Sequence, residues 1–145
     1  MTTAEITREE IMAVYPKVAQ TMADALGCDV EQVELAVPLI EGLDAESIDF
    51  LDIVFRLERA FKVKIPRGKI VEDARGDLPE AEFERKGYVT EVGLQRLKDF
   101  LSEVPADRFK SPMKVADIPR LFTPETFCKL VVRASRTQRA ETPSA

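Results

Sequence analysis

Residues 41–52 read EGLDAESIDFLD, and this stretch decides both the fold and the function expected of the chain. One serine, Ser47, lies among five carboxylates at the start of a run with helical apolar spacing. The chain contains no histidine that could activate the serine hydroxyl as a base. The stretch therefore favours a protein that carries a covalently attached group over an enzyme.

The composition is that of a soluble globular protein of one domain. The chain has 145 residues, of which 45% are hydrophobic and 32% charged. No apolar run approaches the ~20 residues that span a bilayer, and residues 1–10 lack a signal-peptide core, so we expect a cytoplasmic protein. Cys28 and Cys128 are expected to be free thiols, and two cysteines without histidine make a weak metal set.

The net charge of -5 is unevenly distributed. Residues 29–58 contain nine acids against one base, Arg56, whereas residues 108–145 contain eight bases against three acids. The acidic segment would repel nucleic acid and attract basic protein surfaces. The basic segment has no accompanying recognition motif, so we expect a solvated helix face and no nucleic-acid partner.

The N-terminal part predicts one helix followed by a long loop. Thr7 and Glu10 have the spacing of a capping box, and the helix should run over residues 8–26 with a possible kink at Pro16. Residues 28–46 predict an ordered loop, because Pro38 and Gly42 interrupt any regular element. Only a short helical turn near residues 31–35 is allowed for.

Ser47 is predicted to be the N-cap of a second helix that ends near Lys62. Its expected buried stripe consists of Ile48, Phe50, Leu51, Val54, Phe55, Leu57 and Phe61. Each such side chain contributes roughly 1.5–3 kcal/mol when buried, before entropy is subtracted.

The rest of the chain predicts shorter helices. We expect one over residues 81–85, one from Thr90 to about residue 102 with a first turn weakened by Gly93, and a final helix from Thr123. Residues 136–145 should form a frayed tail. Without a clear strand pattern, the fold class is all-α.

Two stretches, LDAESID at residues 43–49 and IVFRLERAFKVKIP at residues 53–66, resemble the acyl carrier protein family. In that family an Asp-Ser-Leu tripeptide begins the second helix; here the tripeptide is Glu46-Ser47-Ile48. The resemblance implies a four-helix bundle with an additional helical insertion. The chain would be a single carrier domain of residues 1–145, with a core of residues 5–66 and 114–135 and an insertion of residues 67–113.

The resemblance also implies the cofactor and the partners. Ser47 would carry 4′-phosphopantetheine, transferred from coenzyme A by a phosphopantetheinyl transferase, and the terminal thiol would hold an acyl group as a thioester. Glu46, Asp49 and Asp52 would dock onto basic surfaces of the transferase, of acyl-loading ligases or transferases, and of synthase-type enzymes. A monomer suits such a carrier.

Other readings of the same residues stay open. Ser47 could be no more than a helix cap and the three acids a solvated face, which would make the chain an unmodified interaction module. The cargo could also be aminoacyl or peptidyl instead of fatty acyl. An enzyme is disfavoured, because the chain has neither a Gly-x-Ser-x-Gly elbow nor a phosphate-binding glycine loop.

Overall fold

The first helix, α1, spans Arg8–Leu26, as predicted. The Thr7 hydroxyl accepts a hydrogen bond from the Glu10 N–H (3.2 Å), and the Glu10 carboxylate accepts one from the Thr7 N–H (3.0 Å). The helix continues through Pro16 and ends at Gly27, whose φ of 70° lies in the left-handed region that glycine adopts without strain.

The computed structural model describes residues 6–65, 72, 74–110 and 112–141. For Ser47 and residues 137–141 it describes the backbone alone. The predicted exit at Pro66 and the start of the predicted insertion lie outside the described residues. In the ranges described, no helix is both long enough and apolar enough to cross a bilayer.

The prediction of one long loop after α1 is wrong in part. A 3-10 turn covers Val30–Gln32, close to the short turn that the sequence allowed near residues 31–35. A short helix that was not predicted, α2, covers Leu39–Leu43. Gly42 lies inside α2, and Pro38 precedes its first residue, where a missing N–H costs nothing. The Leu39 N–H donates to the Phe122 carbonyl (3.1 Å), so a contact distant in sequence fixes where this helix begins.

The second predicted helix is α3, Ser47–Phe61. It ends at Lys62, which has a φ of 56°. The Glu58 carboxylate then accepts a hydrogen bond from the Ile65 N–H (2.6 Å), which holds the segment after α3 against the helix. Leu57, Val63 and Ile65 are buried beside this bond.

The buried face of α3 is narrower than predicted. Phe50, Ile53 and Leu57 are buried, whereas Ile48 is 73% exposed and Phe55 is 49% exposed. Placing Ile48 and Phe55 on the core face was wrong. A helix that packs on one side buries a limited arc, and both residues lie outside that arc.

The segment between α3 and the final helix has its own small structure. It comprises α4 (Glu80–Phe83), β1 (Glu84–Arg85), β2 (Tyr88–Val89), α5 (Glu91–Phe100) and a 3-10 turn (Ala106–Arg108). The Thr90 hydroxyl caps α5 as predicted, accepting from the Gly93 N–H at 3.0 Å. The antiparallel pair β1–β2 corrects the expectation of no strands, although the protein is otherwise helical.

The C-terminal part consists of a 3-10 helix, Val115–Leu121, and helix α6, Pro124–Glu141. The Thr123 hydroxyl accepts from the Thr126 N–H (3.3 Å), which supports the predicted start. Helix α6 continues past the predicted start of fraying at residue 136, and Arg136 binds the Glu10 carboxylate (2.6 and 2.7 Å), which ties α6 to the start of α1. The rest of the predicted frayed tail, residues 142–145, lies outside the described residues.

These elements form the predicted helical bundle. Helix α1 packs against α6 and α3, and the 3-10 helix 115–121 contacts α2. Three aromatic rings fill the space between α3 and α6: Phe50, Phe122 and Phe127, with centroids 5.7–6.0 Å apart. This packing buries the inner face of α3, whereas Ile48 in its first turn stays exposed.

Candidate functional site

Ser47 is the first residue of α3, and Glu46 is its N-cap. The sequence predicted Ser47 itself as the N-cap, so the predicted cap position is wrong by one residue. The reason is Asp49, whose carboxylate accepts a hydrogen bond from the Glu46 N–H (2.8 Å) and thereby places the cap one position earlier.

The backbone before Ser47 is held by α2. Asp44 follows α2 with a φ of 61°, and the Ala45 N–H donates to the Leu39 carbonyl (3.0 Å). Ala45 is buried, whereas the two neighbours of the serine, Glu46 and Ile48, are both exposed. The loop before α3 is therefore anchored by Ala45, and the residues on either side of Ser47 are exposed to solvent.

The three predicted docking acids differ in the contacts that their carboxylates already make within the protein. Asp49 is engaged with the Glu46 backbone, and Asp52 pairs with Arg56 one turn later (3.1 Å). Asp52 and Arg56 remain 47% and 40% exposed, so a charged partner can still reach them. The side chain of Glu46 is exposed. Glu46 and Asp52 are thus available for an interprotein contact, while Asp49 already has a structural role.

Sequence reasoning missed the exposed apolar residues beside these acids. Ile48, Asp52 and Phe55 are spaced i, i+4 and i+7 and therefore share one face of α3. Amphipathic spacing alone could not find them, because it assigned both apolar residues to the core. The sequence signal that could have identified them is the acidic Asp52 between the two apolar residues on the same helix face.

An ion pair that the sequence did not predict lies on α2, six residues before Ser47. Arg108, in the segment between α3 and α6, donates to the Glu41 carboxylate on α2 (2.6 Å) and to the Arg120 carbonyl (2.5 Å). One guanidinium therefore joins α2, the 3-10 turn 106–108 and the 3-10 helix 115–121. The segment after α3 thus contacts α2, the helix to which the loop before Ser47 is anchored.

Comparison with known proteins agrees with this geometry. A family model described as the phosphopantetheine attachment site matches residues 16–75, a range that includes α2, α3 and the loop of residues 44–46 between them. The acyl carrier protein of Bdellovibrio bacteriovorus is 34% identical over 55 residues, which are 38% of this chain and 70% of that protein. This chain belongs to the acyl carrier protein family.

Other carriers give the same result. The acyl carrier protein of Campylobacter curvus is 38% identical over 55 residues, covering 38% of this chain and 71% of that protein. The acyl carrier protein AcpXL of Brucella melitensis is 32% identical over 72 residues, covering 49% of this chain and 77% of that protein. No solved structure matches the chain.

The cofactor of this carrier family is a covalently attached 4′-phosphopantetheine, and the start of α3 suits it. A helix N-terminus favours a negative group such as a phosphodiester. Because the Asp49 carboxylate is turned toward the Glu46 N–H, its charge is partly offset by the same helix end. The exposed positions of Glu46 and Ile48 leave room for an arm and for the enzyme that attaches it.

Proposed function

We propose that this carrier holds an acyl group as a thioester on a 4′-phosphopantetheine arm attached to Ser47. The observation that carries the proposal is the place of Ser47: it is the first residue of an anchored helix, between two exposed neighbours, inside the region that matches the attachment-site family. The chain supplies the hydroxyl and the binding surface, and partner enzymes supply the chemistry.

The attachment step needs a base from outside the chain. The Ser47 oxygen forms a bond to the phosphorus next to the pantetheine of coenzyme A, the pyrophosphate bond breaks, and adenosine 3′,5′-bisphosphate leaves. A serine hydroxyl is a weak nucleophile unless a neighbouring group takes its proton. With no histidine in the sequence, the phosphopantetheinyl transferase is the source of that base.

We further propose that the partners dock on the exposed face of α3. Glu46 and Asp52 provide negative charge, and Ile48 and Phe55 provide apolar area beside it. A basic partner surface with an apolar centre would be complementary to this face. Asp49 contributes mainly by holding the start of the helix, and its charge adds to the same field.

The carrier would deliver its cargo to synthase-type enzymes of fatty-acid, lipid or secondary-metabolite synthesis, as a cytoplasmic monomer. The names of the relatives, acyl carrier protein and AcpXL, support an acyl cargo over an aminoacyl or peptidyl one. An unmodified interaction module is the remaining alternative, and the exposed Ile48 and Phe55 are compatible with it.

Intact mass spectrometry tests the proposal directly. The protein is incubated with coenzyme A, Mg²⁺ and a broad-specificity phosphopantetheinyl transferase. We expect the wild type to gain one phosphopantetheine, Ser47→Ala to gain none, and Ser135→Ala, a serine replacement on α6, to behave as the wild type. If the folded wild type gained no mass with several transferases, the unmodified module would become the better conclusion.

A further inference from the structure

A cleft of about 730 Å³ lies between α2, the 3-10 turn 106–108 and the 3-10 helix 115–121. The 3-10 turn and the residues that follow it supply part of its wall, and α2 with the 3-10 helix 115–121 supplies the rest. Six charged residues line it: Glu41, Asp107, Arg108, Lys110, Asp117 and Arg120. Three are acids and three are bases, so the cleft is polar without a large net charge.

We propose that this cleft receives the pantetheine arm and a short polar acyl group from Ser47. The inference rests on the proposed function, because it presumes an arm on this serine. Glu41 precedes Ser47 by six residues, which limits their separation to about 20 Å even for an extended chain. The helical turn of α2 shortens the distance further, to within reach of an extended arm.

The lining is suited to amide and hydroxyl groups. Lys110 is exposed and has no side-chain partner among the residues described, and Arg120 contacts Asp117 only loosely (3.7 Å). Both can therefore donate to carbonyl, hydroxyl or carboxylate oxygens of a ligand. The buried side chains of Met113 and Leu121 provide an apolar floor for the methylene groups of the arm.

A long alkyl chain fits poorly both in the cleft and in the interior of the bundle. In the cleft it would remove water from charged groups without offering hydrogen bonds, which is costly. In the bundle interior it would have to displace Phe50, which already packs on Phe122 and Phe127 with centroid distances of 5.7 and 6.0 Å. A four-carbon cargo with a polar end avoids both costs.

The ion pair of Arg108 with Glu41 gives the cleft its shape. Because Arg108 also binds the Arg120 carbonyl, the guanidinium fixes α2 relative to the 3-10 helix 115–121. The cleft is thus formed before any ligand arrives, which lowers the entropy cost of ordering the arm.

The test loads the full-length protein directly with acyl-phosphopantetheine from four coenzyme A thioesters. 3-Hydroxybutyryl and succinyl are the polar cargoes, butyryl is the matched four-carbon apolar cargo, and decanoyl is the long one. Intact mass confirms each loading, so a failure of the proposed attachment is seen separately as no mass gain. The readout is the rate at which hydroxylamine cleaves the thioester, divided by the rate for the same acyl group on free coenzyme A.

We expect at least one polar cargo to be cleaved about fivefold more slowly than butyryl, the effect of roughly 1 kcal/mol from one net hydrogen bond. The backbone amide signals of residues 107–110, 117, 118, 120 and 121 should shift on loading. Lys110→Glu combined with Arg120→Glu should abolish the protection, whereas Arg85→Glu, an exposed replacement on β1, should keep it. Equal rates for all cargoes, or strongest protection of decanoyl with shifts at Phe50 and Phe127, would overturn the proposal.

Discussion

At the scale of single residues, the acids around Ser47 differ in what they already bind. The Asp49 carboxylate accepts the Glu46 N–H and so contributes to the start of α3, while Asp52 forms an exposed pair with Arg56. Substitutions at these positions therefore test different properties. Docking is measured cleanly only at the residue whose loss leaves the helix intact.

We expect Asp49→Ala to lower the free energy of unfolding by ~1 kcal/mol, as for the loss of a helix cap. Asp52→Ala should lower it by about 0.5 kcal/mol or less, because exposed pairs contribute little. Urea denaturation measures both. The rate of phosphopantetheine attachment should still fall for Asp52→Ala, and more at low salt than at high salt. An unchanged rate for this stable variant at both salt concentrations would remove Asp52 from the docking surface.

The two cysteines differ in reactivity. Both are free, as expected from the sequence, but Cys28 is partly exposed and Cys128 is buried in α6. Burial, with a smaller effect of the Glu125 charge, raises the pKa of Cys128 from 9.0 to about 12. The folded state therefore keeps a proton that the unfolded chain releases above pH 9, and folding becomes less favourable as the pH rises from about 9 to 12.

This linkage predicts a pH-dependent stability. The free energy of unfolding of the wild type should fall between pH 8 and pH 10.5 by more than that of Cys128→Ala, because the alanine variant has no thiol to ionise. Urea titrations of both proteins at the two pH values measure the difference. If the free energy of unfolding fell equally in both proteins, the Cys128 thiol would not contribute to the pH dependence. Cys28→Ala provides the matched control.

At the scale of elements, Gly93 shows how tertiary packing can reverse an inference from propensity. The sequence predicts that glycine weakens the first turn of α5. In the structure a Cβ at this position would lie 2.5 Å from the Phe83 carbonyl oxygen and 3.0 Å from the Val89 side chain. Helix α5 can approach α4 and β2 this closely only because residue 93 has no side chain.

We therefore expect Gly93→Ala to destabilise the protein by about 1–2 kcal/mol. Alanine gains ~1 kcal/mol of helix propensity, but the overlap with a backbone oxygen costs more than that. Gln95→Ala, at an exposed position of the same helix, should leave the melting temperature nearly unchanged. A melting temperature of Gly93→Ala equal to or above that of the wild type would show that the overlap is relieved at no cost.

The elements that the sequence predicts well are those with local signals. Thr7 with Glu10, Thr90 and Thr123 each identify a helix start within three residues, and the structure has helices there. Helix α2 and the β1–β2 pair have weaker local signals, Pro38 before the first and the two-residue turn Lys86–Gly87 within the second. The first depends on a hydrogen bond from Leu39 to Phe122, and the second on one from Val89 to Met113 (2.8 Å).

The residues discussed as functional likewise fall into a group that the sequence identifies and a group that only the fold brings together. Ser47 and the acids near it follow from a contiguous motif, so sequence alone brings them together. The cleft with Arg108 and Arg120 joins residues more than sixty positions apart from Glu41, and only the fold places them together. No spacing rule within one helix or strand can detect such a site.

At the scale of the whole molecule, the segment after α3 is part of the bundle's packing. Phe83, Leu97, Leu101, Val104 and Phe109 belong to the same buried cluster as the core of α1, α3 and α6. The Arg133 guanidinium lies 4.2 Å from the ring centre of Phe100. These side chains therefore do not form a separate core. The boundary between carrier core and insertion, read from the sequence, stays a prediction.

A buried ion pair links this segment to α6. The Lys129 ammonium donates to the Glu103 carboxylate (2.6 Å), which also accepts from the Thr126 hydroxyl (2.6 Å). The Glu103 side chain is 1% exposed and that of Lys129 is 12% exposed. Removing one partner leaves a carboxylate in a site that water hardly reaches, and that is costly.

We expect Lys129→Met to lower the free energy of unfolding by about 3 kcal/mol. Adding Glu103→Gln should restore most of that loss, because no isolated charge then remains, and Lys64→Met at an exposed position should change little. Urea denaturation of the single and double variants gives the coupling energy of the pair. If the double variant were no more stable than Lys129→Met alone, the loss would arise from packing around the lysine stem, and the segment would be held to α6 mainly by its apolar contacts.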